Sequence, residues 1–160
     1  MRTRDETFKE LDRSFKLLMD CLGQLTEEEL TANPVAGRWT VKDVIAHVWV
    51  WGDEYVNSVK NWQTRRPWQE GVAYDDAWNE QQVTVRAAMP LIVVVDGLTG
   101  AHRRLMHLLD LAAPEALAAA GRAPWGEEMA LIDFFYSCGE HYREHVAALK
   151  NYQEHCLECD

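Results

Sequence analysis

The sequence predicts an all-α fold, a bundle of four long helices forming a single domain over residues 1–160. Three observations predict it. Four segments repeat apolar residues at intervals of three and four, the period of an amphipathic helix. No segment sustains the alternation of a half-buried strand. The breaks between periodic segments carry the proline and glycine punctuation that ends helices. At 160 residues the chain is long enough for one sizeable core, and it shows no internal repeat or low-complexity stretch.

The first helix is expected over 3–24, where Phe8, Leu11, Phe15, Leu18 and Leu22 step by threes and fours and Gly23 stands at the stop. Thr26, with Glu29 three residues on, reads as a capping box for a short helical turn, ended by Asn33-Pro34 and Gly37. Trp39-Thr40 opens the second long helix, with Thr40 as N-cap and Asp43 three residues on. Its stripe runs through Val41, Val44, Ile45, Val48, Tyr55 and Val59 to about Trp62. Gly52 within it costs about 1 kcal/mol relative to Ala, a cost explained if it admits a close neighbour.

A loop over 63–74 and a short polar helix over 75–88, carrying Trp78, form the next connection. Pro90 suits the first position of the third long helix. The run 91–95, Leu-Ile-Val-Val-Val, would by itself also read as a buried strand. The pattern continues without alternation through Leu98, Leu105, Leu108, Leu109 and Leu111, so helix is preferred, although Gly97 and Gly100 run against it. A helical turn over 114–120 and a loop over 121–126, holding Pro124 and Trp125, lead to the fourth helix. Its start is expected at Glu127-Glu128, where the helix dipole favours acidic side chains. Its stripe is Leu131, Phe134, Phe135, Cys138, Tyr142, Val146 and Leu149, and a loosely ordered tail is expected over 153–160.

The charge is acidic, 26 Asp and Glu against 16 Lys and Arg. A net charge of -10 argues against a nucleic-acid backbone or an anionic membrane surface as partner. No apolar run reaches the length of a bilayer span, and residues 1–6 lack the apolar core of a secretory signal. The expected location is therefore the cytoplasm, with the four cysteines as reduced thiols. Cys21 and Cys138 read as small core residues. Cys156 and Cys159 beside His155 look like a metal or redox clip, but with no second pair they read as part of the tail. The pair Arg65-Arg66 reads as solvated.

The residues that carry chemistry are histidines. His141 and His145 stand four apart, which stacks their imidazoles on one helix face with roughly 6 Å between Cβ atoms. Such a pair is half of a metal site or half of a polar core, and the spacing alone leaves both open. Bundles build metal sites from side chains projecting inward from facing helices, and His47 is the inward candidate on the second helix. Three neutral imidazoles plus a water make an open site for zinc, nickel or iron. Free imidazole titrates near roughly 6.5, so metal held this way should be lost between about pH 7 and about pH 5. His102 and His107 point to different faces of one helix. Trp51, one turn from His47, and Trp125, in the loop entering the fourth helix, are the candidates to line a pocket beside the site. Asp43, Glu140 and Glu144 are candidates to accept an imidazole N–H, or else plain helix surface.

Taken with their order and spacing, these residues resemble a family. Trp39-Thr40-Val41-Lys42-Asp43-Val44-Ile45-Ala46-His47 with Trp51 one turn on, and His141-Tyr142-Arg143-Glu144-His145, look like the DinB/YfiT-like superfamily of bacterial four-helix bundles. Trp78-Asn79-Glu80, Ala101-His102 and Pro124-Trp125-Gly126-Glu127 are similar to its ClbS/DfsB-like branch. The resemblance covers nearly the whole chain. It implies up-down-down-up connectivity and a metal held by one histidine of the second helix and two of the last, here His47, His141 and His145. Many relatives carry an acidic residue directly after the second-helix tryptophan; this chain has Gly52 there, then Asp53. Some ClbS-like relatives lack the second-helix histidine, which this chain keeps.

Members of that family include thiol-dependent transferases, isomerases and self-resistance hydrolases. The expectation is therefore a metal-binding protein acting on a small molecule, as a thiol transferase or isomerase or as a hydrolase. Its cofactors would be a divalent metal and, for the transfer reactions, a low-molecular-weight thiol. No serine or cysteine stands in a nucleophile motif, so metal-activated attack is the catalytic route these residues support. The alternative is a small-molecule binding or self-resistance module that works without metal. A third reading is a scaffold homodimer whose histidines form a satisfied polar network.

Overall fold

The computed structural model describes residues 2–64, 66 and 68–157. The four long helices are α1 (Arg4–Gly23), α3 (Val41–Asn61), α5 (Leu91–Leu111) and α7 (Leu131–Leu157). Three short ones, α2 (Glu27–Thr31), α4 (Asp76–Thr84) and α6 (Pro114–Ala118), sit in the connections. Two antiparallel hairpins precede α3 and α7: β1 (Pro34–Ala36) with β2 (Trp39–Thr40), and β3 (Ala120–Arg122) with β4 (Glu128–Ala130).

The helix starts follow the local chemistry of the sequence. Thr3, Thr26 and Thr40 each close a capping box with Glu6, Glu29 and Asp43, so the first N–H groups of α1, α2 and α3 have side-chain acceptors. Asp75 caps α4 by accepting from the Trp78 N–H.

Cross-helix contacts give the connectivity. Gln153 at the end of α7 donates to the Cys21 carbonyl at 3.1 Å, and Arg143 pairs with Glu10, so α1 and α7 run parallel. Trp49 faces Gly97 and Asp53 pairs with Arg104 at 2.6 Å, so α3 and α5 run parallel as well. Tyr55 meets Ser137 while His47 meets His141, which makes α3 and α7 antiparallel. Phe15 stacks on His102 and Arg4 reaches Ala112, which makes α1 and α5 antiparallel. The order around the bundle is α1, α5, α3, α7, with an up-down-down-up sense. Two glycines let the α3–α5 pair approach closely. A Cβ on Gly97 would lie 2.3 Å from the Trp49 indole, and one on Gly52 would lie 2.9 Å from the Ala101 Cβ. Leu11, Leu18, Ile45, Leu98, Leu105, Leu109, Phe134, Phe135 and Leu149 fill the centre, fully buried.

Several boundaries differ from the sequence reading. The fourth helix starts at Leu131 rather than at Glu127-Glu128, because Glu128 belongs to β4 and pairs with Arg122 of β3. The stretch read as a loop over 121–126 contains most of that first strand. Three-residue strands are too short to show alternation. Pro90 is the N-cap of α5 rather than its first residue. The polar helix ends at Thr84, four residues early, in turns closed by the Arg86 and Ala87 N–H groups. α7 continues to Leu157, into the segment read as a tail. Cys159 of the terminal clip and Arg65 of the basic pair lie outside the described residues. Among the described residues, no helix is long and apolar enough to cross a membrane.

Candidate metal centre

His47 stands two turns into α3, in a register set by the Thr40 cap, while His141 and His145 occupy successive turns of α7. Because α3 and α7 are antiparallel neighbours, the three rings meet between them. His47 Nε2 lies 3.3 Å from His141 Nε2, and His141 Nε2 lies 3.0 Å from His145 Nε2. One ligand atom from each ring falls within 4.8 Å of the others, and this is the cluster of metal-ligating side chains found among the described residues.

The donor set fits a divalent ion. Two nitrogens bound tetrahedrally at roughly 2.0–2.1 Å would stand about 3.3 Å apart, close to the His47–His141 and His141–His145 separations. The hydrogen-bond arithmetic points the same way. A neutral imidazole nitrogen offers either one N–H or one lone pair. His141 Nε2 therefore satisfies one neighbour and leaves the other facing it, whereas an ion accepting three lone pairs satisfies all three. The rings are held neutral. Burial lowers His47 to about 3, helped by the neighbouring His145, and burial lowers His145 to about 4. His141 is lowered well below the usual range by burial, then by His145 and His47.

His47 and His141 reach the wall of a cavity of about 360 Å³. Trp51 and Trp125 line it, with ring centroids 6.3 Å apart. Tyr55 and Ser137 line it as well, their hydroxyls 3.1 Å apart. The connecting helix α4 completes the wall: Asn79 Oδ1 accepts from Trp51 Nε1 at 2.9 Å, and Glu80 accepts from Trp39 Nε1 at 3.0 Å. Trp78 and Tyr74 pack on the outer side of Trp51. Tyr74 donates to the buried carboxyl of Glu54 at 2.8 Å, whose pKa is raised by burial against the lowering effect of that bond.

The remaining candidates separate cleanly. Glu140 and Glu144 line the cavity. Asp43 is committed to the helix cap, and Asp53 is paired with Arg104. His102 lies on α5, stacked on Phe15 with centroids 3.8 Å apart, and His107 is exposed. Tyr55, Asn79 and Ser137 are site residues that spacing alone did not single out. Asn79 had a signal in the word Trp78-Asn79-Glu80; Tyr55 and Ser137 read only as positions on helices. A larger cavity of about 640 Å³ lies beside Arg2, Arg4, Phe8 and Pro114 at the start of α1. Among the described residues no cluster of metal-ligating side chains lies there, and its arginines already bond Asp133 and the Ala112 carbonyl.

The family model of the DinB superfamily matches residues 10–149. None of the curated proteins matches the sequence. The fold is similar to the mycothiol-dependent maleylpyruvate isomerase, with 12% identity and a TM-score of 0.79. That match takes in 92% of this chain but 61% of the isomerase, so the chain spans about three fifths of that protein's length. It is similar to YfiT from Bacillus subtilis, described as a probable metal-dependent hydrolase with an unusual four-helix bundle topology (19% identity, TM-score 0.76, 96% of this chain and 87% of that one). It is also similar to the colibactin self-resistance protein ClbS, solved in complex with a dsDNA (14% identity, TM-score 0.76, 94% of both chains). At such identities the likeness is one of fold.

Proposed function

This chain belongs to the DinB superfamily, and we propose that it is a metal-dependent catalyst acting on a small molecule, with His47, His141 and His145 as the ligands. The observation that carries the reading is the convergence of three neutral imidazoles on one point at the wall of a cavity. When bound, the ion supplies Lewis acidity, polarising a carbonyl oxygen or lowering the pKa of a water or thiol. Isomerase, thiol-transferase and hydrolase chemistry all draw on that one property, and the fold matches include a thiol-dependent isomerase and a probable metal-dependent hydrolase.

The chain's own groups do the rest. A cavity of about 360 Å³ is at the small end of ligand pockets and accepts a compact substrate. Trp51, fixed by its bond to Asn79, offers a rigid apolar wall against which that substrate lies. Burial raises the Tyr55 phenol, so it keeps its proton and donates or accepts only as a neutral hydroxyl. The carboxylates of Glu140 and Glu144 are the groups placed to take up a proton from a reacting molecule.

A paired calorimetric titration with zinc and nickel, on protein without a polyhistidine tag, tests the reading. Wild type should bind one ion per chain at pH 7. His141→Ala should lose more than about 100-fold in affinity, since losing even an outer partner of a ligand costs roughly 10–100-fold. His107→Ala, exposed and off the site, should be unchanged. Equal affinity for the two variants would remove the metal from this account and favour the binding-module reading, which the aromatic walls of the cavity also suit. In that case His141→Ala should instead destabilise the fold by about 1–3 kcal/mol, whatever the metal content.

A further inference from the structure

We propose that the cavity beside the three histidines selects a positively charged small molecule, a primary amine or quaternary ammonium compound. Its cationic end would rest on the aromatic wall, with Glu140 and Glu144 beside it. The inference rests on the reading of this cavity as the substrate site and adds the charge class of the substrate. Three aromatic rings line the cavity, Trp51, Trp125 and Tyr55, and successive centroids lie 6.3 and 6.1 Å apart. The face of a tryptophan carries negative potential that attracts a cation within about 6 Å of its centroid. Trp125 is 42% exposed, so its surface is open to an incoming molecule.

The charged side chains lining the cavity are both carboxylates, and no lysine or arginine lines it among the described residues. Glu140 has one ion-pair partner, Arg143 at 3.8 Å, and Arg143 is already held by Glu10. No ion pair or hydrogen bond reaches Glu144 among the described residues. Tyr55 also lines the cavity; burial raises its phenol first, and the nearby Glu144 and Glu140 add to that in a smaller measure. An anionic substrate would meet two carboxylates and, among the described residues, no cationic side chain. A cation meets the two carboxylates beside aromatic surface and the neutral Asn79 and Ser137 side chains. The net charge of -10 adds attraction at longer range. With a dication on the histidines, the two carboxylates leave the cavity close to neutral. The preferred molecule then places a neutral donor atom, oxygen or sulfur, at the histidines and its ammonium at the aromatic end.

The test compares choline with its neutral carbon isostere, 3,3-dimethyl-1-butanol. Binding is followed by tryptophan fluorescence and calorimetry on zinc-free and zinc-loaded wild type. Choline should bind at least about tenfold more tightly than the isostere, the size of one desolvated cation–π contact with carboxylate support. Glu144→Gln should weaken choline several-fold and leave the isostere unchanged. Trp125→Leu should weaken choline, whereas Trp68→Leu, on the exposed connection, should not. Equal binding of the two probes, or no saturable choline binding in the millimolar range, would overturn the proposal. Zinc uptake without a cation preference would sink this inference and leave the metal reading standing. A cation preference without zinc uptake would do the reverse.

Discussion

Burial decides the protonation of the site histidines, and that carries a pH prediction. In the unfolded chain His47 and His145 titrate near about 6.5; folded, they sit at about 3 and about 4. His102, buried elsewhere against Phe15, is lowered to about 4. Between those values the unfolded chain binds protons that the folded chain does not, and stability falls wherever that is so as pH falls. The stability held by these rings is complete above about pH 6.5 and is lost on acidification toward about pH 4. Glu54 opposes the trend, because a raised carboxyl pKa favours the folded state as pH falls, but it is one group against four rings. The metal-free protein should therefore melt at progressively lower temperature from pH 7 to pH 4, followed by circular dichroism. A melting temperature constant across that range would mean the rings protonate in the folded state. The same depression changes the metal expectation. Free-imidazole behaviour places metal loss between about pH 7 and about pH 5, whereas rings this reluctant to protonate should hold an ion to lower pH. The ligand types and their helix face were legible from a four-residue spacing. Their burial was not, since it depends on α3 and α7 packing together and bringing His47 to His141 from far along the chain.

At the level of elements, the capping chemistry was the most readable feature. Thr26 with Glu29 and Thr40 with Asp43 are local patterns with partners three residues apart, and local patterns survive into the fold. The hairpins were not readable, because β3 and β4 owe their existence to pairing with each other and to the Trp62 indole bonded to the Ala119 carbonyl at 3.0 Å. Glu127-Glu128 satisfied the rule for a helix start, yet Glu128 sits opposite Arg122 in that hairpin. Gly97 looked like evidence against helix and proves to be a packing requirement. The Trp49 indole lies across it, under the Arg86 guanidinium at 5.1 Å. Gly97→Ala gains about 1 kcal/mol of helix propensity but drives a methyl group into the ring, and overpacking costs about 1–3 kcal/mol. We expect net destabilisation in urea titration. Gly23→Ala, whose new Cβ meets nothing within 4 Å, should be neutral or stabilising. If Gly97→Ala matched it, Trp49 would have to be free to swing away.

For the whole molecule, the parallel pairing of α1 with α7 and of α3 with α5 could not be derived from helix spacing, which says nothing of direction; only the family resemblance implied it. The site borders the core, with Tyr55 and Trp125 packed on Phe134. The histidines meet on the α3–α7 seam, while Leu98, Leu105, Leu109, Phe134, Phe135 and Leu149 lie fully buried. Burying each such side chain contributes about 1.5–3 kcal/mol, so the bundle has a source of folding energy that needs no ion. A zinc finger, which lacks such a core, unfolds without metal. Chelation of a loaded sample should therefore lower the melting temperature and preserve both the helical signal and a single cooperative transition. At an ion concentration of about 100 times Kd the metal adds about 2.7 kcal/mol, which at this chain length is about 5–10 °C. The measurement is a thermal melt at 222 nm with and without chelator, and reloading with zinc should restore the original midpoint. A chelated protein without helical signal would show that the three-histidine seam holds the bundle together. The neutral rings argue against that outcome, because a metal-free cluster of uncharged imidazoles sets no charge repulsion between α3 and α7.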